Sequence, residues 1–158
     1  MSFHATIIAR AIIIICLFKP DGIMHGVRMI EFPKILDKRG NLSFFENDKH
    51  IPFSIARAYW IYDVPGGETR GGHAYQTLHE VIVALSGSFS VVLNDGSEEK
   101  IFTLNRSYYG LYVPKMIWRH LEDFSTNSLA LIVASEAYNA NDYIRNFEVF
   151  QKKKLEKC

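Results

Sequence analysis

Two side chains able to carry a proton stand two residues apart in GGETRGGHAYQTLHEVIVALSG, the stretch from Gly66 to Gly87: His73 and Tyr75. If the stretch is extended, its period of two turns both toward one face of a strand and into one interior. An imidazole titrates near neutrality, which suits a general base that takes a proton from carbon beside a carbonyl. A phenol can donate to a developing oxyanion and recover the proton, or it can be an inward aromatic with no chemical part. Glu80 has two readings as well: it holds His73 in one tautomer, or it pairs with an arginine.

Short strands must present these groups. From Met29 onward, apolar runs at 30–35, 42–46, 55–63, 71–76, 79–85, 89–93, 99–103, 109–113, 117–121 and 129–134 are divided by turn signals. Asp37-Lys38-Arg39-Gly40, Pro65-Gly66-Gly67, Ser86-Gly87-Ser88 and Asn94-Asp95-Gly96 supply the turns. This spacing predicts an all-β sandwich or barrel. Near the end, Tyr143, Phe147 and Phe150 recur at helical spacing behind Asn141-Asp142, which predicts a short C-terminal helix with an aromatic stripe on the barrel. The lysines at 152–154 read as its solvated end.

The 158 residues make one domain with a sizeable core. An apolar fraction of 48%, with 11 Phe and 8 Tyr, excludes a disordered chain and favours strands. A net charge of +1 gives no broad field for nucleic acid or an anionic membrane. Cys16 and Cys158 form neither a disulfide framework nor a metal motif, in keeping with a reducing compartment. The apolar run at 7–18 contains Arg10, falls short of a membrane span, and lacks the basic start and cleavage site of a signal peptide. It is read as part of an extension over residues 1–28, outside a domain spanning 29–158, with Met24 or Met29 as the natural start. An added edge strand is the other reading.

The order His73, Tyr75, Glu80, Gly87 resembles the first motif of the cupin barrel, and Gly110, Pro114 and Arg119 stand near the places of its second. A metal cupin would place His ligands where Tyr75 and Arg119 stand. A phenol is a poor neutral-pH ligand and a guanidinium repels a divalent ion, so no metal is expected. His120, one residue along a strand, points to the opposite face. Together, KILDKRGNLSFFEN, IPFSIARAYWIYDVPGGETRGGHAY, EVIVALSGSFSVVLNDG, YYGLYVPKMIWRHLEDFS and NDYIRNFEVF resemble the WxcM-like nucleotide-sugar 3,4-ketoisomerases of the cupin superfamily, over about residues 30–150.

The resemblance implies a jelly-roll barrel (double-stranded β-helix) with a short C-terminal helix, and a cytoplasmic homodimer. It implies a cofactor-free isomerase that moves the ketone of dTDP-4-oxo-6-deoxy-glucose from C4 to C3, feeding an aminotransferase in surface-polysaccharide synthesis. It makes His73 the base and Tyr75, where the family usually has a second His, the partner acid. Arg39, Arg57 and Arg70 become candidates for the pyrophosphate, since their forked donors suit phosphate oxygens. Arg39 and Arg119 become candidates for choosing the C4 epimer, Tyr59 and Tyr112 for stacking on thymine or closing the pocket, and Glu80 for supporting the site. Three other readings remain open: a sugar-nucleotide-binding barrel without activity, a 3,5-epimerase, and a metal-dependent cupin oxygenase.

Overall fold

The computed structural model describes Met24 and residues 26–156; the apolar run at 7–18 and both cysteines lie outside them. The folded unit reaches back beyond Met29, because Met24 and Val27 are buried in the main core. Strand β1 (Arg28–Glu31) ends just before Pro33, and β2 (Lys34–Ile35) follows it, so the single strand expected over 30–35 is broken. Proline has no N–H for the ladder, which accounts for the break. Strand β3 (Leu42–Ser43) pairs only with β2, and the two make a small ribbon apart from the main sheets.

The remaining strands are β4 (Arg57–Ile61), β5 (Arg70–Tyr75), β6 (Glu80–Ser86), β7 (Phe89–Asn94), β8 (Glu99–Leu104), β9 (Tyr109–Val113), β10 (Trp118–Glu122), β11 (Leu129–Ala134) and β12 (Tyr143–Ile144). They form two antiparallel sheets, ordered β1-β9-β6-β11-β4 and β12-β5-β10-β7-β8. These two sheets make the expected jelly-roll barrel, with Ile82, Leu111 and Ile132 of the first sheet buried among Val91, Leu93 and Leu121 of the second.

The outer face of the first sheet is covered too. Phe32, Ile51 and Phe53 bury Val81, Val83 and Val133 from outside. Strand β6 is therefore buried on both faces over most of its length, which is why it reads as a continuous apolar run instead of an alternation. Gly110 makes this packing possible: a β-carbon there would fall 2.7 Å from Val81 Cγ1 and 2.9 Å from Phe32 Cζ.

The end of the chain departs from expectation. Tyr143 and Ile144 belong to β12, laddered with Tyr75 and Ala74, and helix α1 (Phe147–Leu155) begins only after them. Asn146 caps it by accepting a hydrogen bond from the Val149 N–H. Phe147 and Phe150 pack on Trp118, Met116 and Ala74, as an aromatic stripe on the barrel should. The lysines are not all solvated: Lys153 donates to the Gln76 side chain at 2.6 Å, and Lys154 donates to the Met116 carbonyl at 2.8 Å. The helix is thereby tied to the loops after β5 and before β10.

Candidate active site

Strands β4 and β12, each at a free edge of its sheet, share no ladder bond with one another. Around that gap the fold gathers Arg57 and Tyr59 from β4, His73 and Tyr75 from β5, Glu80 from β6, Arg119 from β10 and Tyr143 from β12. His73 and Tyr75 share a face, as the period of two requires, and their rings lie 4.9 Å apart, edge to face.

Beneath them is a buried ion pair. Arg119 Nε donates to Glu80 Oε1 at 2.6 Å, and Nη2 donates to Oε2 at 3.1 Å. The same Nη2 donates to the Tyr59 hydroxyl at 3.0 Å, and that hydroxyl donates to Glu80 at 3.1 Å. Glu80 and Arg119 are 1% and 2% exposed, so their charges persist only because nearly every polar atom is matched. Gly71 leaves room for this pair: its φ is +102°, and a β-carbon there would lie 2.5 Å from Arg119 Nη1. Of the two readings of Glu80, pairing with an arginine is the one realised.

The register gives this pair a second effect. Arg119 sits directly opposite His73 in the β10–β5 ladder. Burial, and then the Arg119 charge, lower the His73 pKa from its ordinary value to about 4, against a smaller opposing effect of Glu80. His73 is thus a neutral base at pH 7. Its Nε2 is buried and has no hydrogen-bond partner, and the same holds for Nε and Nη2 of Arg57. Among the described residues these are the buried side-chain polar atoms left unpaired. Buried polar groups are ordinarily satisfied, so orphans on two residues that both adjoin Tyr143 mark a place for ligand atoms.

Between them lies Tyr143, which the helical reading of the sequence hid. Its ring is 4.8 Å from that of His73 and 4.7 Å from that of Tyr75. The Arg57 guanidinium lies 5.1 Å from the Tyr59 ring centroid, 5.6 Å from that of Tyr138 and beside the Tyr143 phenol. Arg145 covers the Tyr143 ring at 4.3 Å. The Tyr75 hydroxyl turns inward to Tyr59, 3.4 Å away, and burial with the nearby Glu80 carboxylate pushes its pKa far up. A cavity of about 250 Å³ opens beside the phenols, walled by Tyr75, Tyr138, Asn139 and Tyr143. The signal for Tyr143 was Asn146, a second capping residue directly before the true helix.

Other candidates lie elsewhere. Arg119 commits Nε and Nη2 to Glu80 and Tyr59, which makes it a support within the barrel. Arg70 is exposed at the start of β5, in a cleft of about 320 Å³ shared with Tyr62, Pro65 and Glu68. Tyr112 is on the outer face of the first sheet, where its hydroxyl meets His79 Nδ1 at 2.7 Å and Arg28 lies over its ring. From there it does not face His73, which lies on the second sheet. Arg39 is exposed at the tip of the β2–β3 ribbon and pairs with Asp37 at 2.8 Å. His120 faces away from the interior toward Glu122. Among the described residues no three His, Cys, Asp or Glu side chains converge as a metal site. The positions a metal cupin would use hold instead a phenol and a carboxylate committed to a guanidinium. No helix among the described residues is long and apolar enough to cross a membrane.

Known proteins resemble this chain in sequence and in fold. A curated relative, TDP-4-oxo-6-deoxy-alpha-D-glucose-3,4-oxoisomerase of Aneurinibacillus thermoaerophilus, is 43% identical over 125 residues, covering 79% of this chain and 90% of its own. The crystal structure of QdtA, a sugar 3,4-ketoisomerase from Thermoanaerobacterium thermosaccharolyticum, in complex with TDP, superposes with a TM-score of 0.83 at 38% identity, over 85% of this chain and 98% of its own. WlaRB, a TDP-quinovose 3,4-ketoisomerase from Campylobacter jejuni, superposes with a TM-score of 0.79 at 38% identity, over 82% and 99%. The family model described as FdtA, WxcM-like, C-terminal, matches residues 25–155, and the chain belongs to that family.

Proposed function

We propose that this protein is a sugar-nucleotide 3,4-ketoisomerase that moves the ketone of dTDP-4-oxo-6-deoxy-glucose from C4 to C3. The observation that carries the reading is the neutral His73 with an unpaired Nε2, with Arg57, which also has unpaired N–H groups, on the other side of Tyr143. His73 takes the proton from C3, and the electron pair of that C–H bond becomes the C3–C4 double bond while O4 gains a proton. The enediol then loses the proton on O3, and His73 returns one to C4. C3 is oxidised and C4 reduced within one molecule, so the balance calls for no external oxidant or cofactor. Arg57 faces the oxygens on which negative charge develops.

A second acid/base group must carry the proton between O4 and O3, and Tyr75 and Tyr143 are the phenols flanking His73. The exposed Arg70, at the start of β5, is offered to the diphosphate. We place the enzyme in the cytoplasm as a homodimer, its product passing to an aminotransferase. The β2–β3 ribbon exposes Ile35, Leu36, Leu42 and Phe44, and the β4 edge exposes Trp60 and Tyr62. Exchange of the ribbon between two copies would cover both patches and carry Arg39 toward the neighbouring site.

Proton NMR of the protein with dTDP-4-oxo-6-deoxy-glucose in D₂O tests the activity. A 3-oxo product carrying solvent deuterium at C4, absent with His73→Ala, is the expected outcome, and it reports the C4 configuration. Inversion at C5 would instead indicate a 3,5-epimerase. Binding of TDP without exchange at C3 would reduce the protein to a sugar-nucleotide-binding barrel, the reading favoured by Tyr75 in place of a second His.

A further inference from the structure

We infer that Tyr143, and not Tyr75, is the catalytic acid/base residue that moves the proton between the two sugar oxygens, with Arg57 as its electrostatic partner. The inference rests on the isomerase reading above and assigns a residue within that site.

The argument begins with which phenol can tolerate charge. A shuttle that gives a proton to O4 and takes one from O3 carries negative charge on its own oxygen in between. At Tyr75 that charge would arise in a buried position beside the Glu80 carboxylate, with its hydroxyl turned inward to Tyr59; Arg119, 5.8 Å from the ring centroid and already paired with Glu80, offsets only part of this. At Tyr143 it would arise beside the Arg57 guanidinium, with Arg145 over the ring at 4.3 Å. Like charges repel and opposite charges attract most strongly where water is scarce. The surroundings therefore oppose proton loss from Tyr75, whereas Tyr143 stands against two guanidinium groups.

Access and placement agree. Tyr143 is half-buried, whereas Tyr75 is 4% exposed, so Tyr143 presents more of its edge to an entering sugar. Its ring centroid lies 4.8 Å from that of His73, which puts base and phenol side by side. The ladder with Tyr75 fixes the backbone of Tyr143, and Asp142 beside it is buried and anchored to the loop 76–78. A shuttle held on β12 is as well placed as the base on β5. Tyr75 is then a positioning residue, whose ring supports His73 and Tyr143 and whose hydroxyl closes the Tyr59–Glu80 network.

Tyr143→Phe and Tyr75→Phe separate the roles, because each keeps its ring contacts and loses one hydroxyl. The measurement is the ratio of solvent exchange at C3 of the 4-oxo substrate to formation of the 3-oxo sugar, with TDP affinity followed alongside. In Tyr143→Phe, His73 still removes the C3 proton, so exchange persists within several-fold while product formation falls about 100-fold or more. In Tyr75→Phe, exchange and product formation fall together and the ratio stays near that of the parent. Product formation by Tyr143→Phe within a few-fold of the parent would overturn the inference. So would a parallel loss of exchange and product in that variant, or a raised ratio in Tyr75→Phe alone. A parent protein that neither exchanges nor isomerises would instead overturn the isomerase reading itself.

Discussion

Arg119 lies across the ladder from His73, so the base of the proposed reaction titrates beside a fixed positive charge in a buried setting. Burial and that charge hold the His73 pKa at about 4, below the ordinary histidine range. The base form therefore survives well into acid. The acidic limb of a kcat/KM profile is expected near pH 4 to 5, with no inflection at the ordinary value, and a pH series of initial rates checks it. The same shift affects stability. Above the ordinary histidine value both the folded and the unfolded chain keep the ring neutral, and nothing is lost. As pH falls from there toward about 4, the unfolded chain binds a proton that the folded site refuses, so His73 removes stability over that window.

Among the elements, the loop from β5 to β6 depends most on a single residue. Asp142 accepts from the backbone N–H groups of Gln76, Thr77 and Leu78 at 3.1, 2.9 and 3.2 Å, and from the Thr77 hydroxyl at 2.9 Å. Asp142→Ala would strand those donors in a buried place, and a loss of about 3 kcal/mol is expected in a denaturant titration. Asp142→Asn keeps an acceptor and should lose less. This anchor also explains what the sequence concealed. Asn141-Asp142 looks like a helix cap, but the carboxylate is spent on a loop far away in the chain, which no local pattern records. With Asp142 so engaged, Tyr143 is drawn into a strand beside Tyr75 although its spacing to Phe147 and Phe150 is helical. Strands such as β9 and β11 were legible because turn residues bound them, as was the shared face of His73 and Tyr75. Tyr112 was not, because both faces of its sheet are covered and apolar character no longer tells inside from outside. Arg70 and Glu80 show the same limit: reading which segment a residue occupies does not reveal which arginine a carboxylate will meet.

For the molecule as a whole, the exposed β2–β3 ribbon and the free β4 edge argue for association. Leu36 is 76% exposed and Trp60 is 60% exposed, values that suit surfaces awaiting a partner. Sedimentation equilibrium should give twice the mass of the chain, and Leu36→Glu combined with Leu42→Glu should shift it toward the monomer. The distribution of the site along the chain matters for another reason. Arg57 opens the set and Tyr143 closes it, on the last strand of the barrel. During synthesis the core strands through β11 emerge first, and they can pack into sheets while β5 still lacks its β12 neighbour. The barrel and its chemistry are therefore completed at different moments. A nascent chain stalled after Ala134 would hold most of the core and none of the Tyr143 wall, folded in outline and silent as an enzyme.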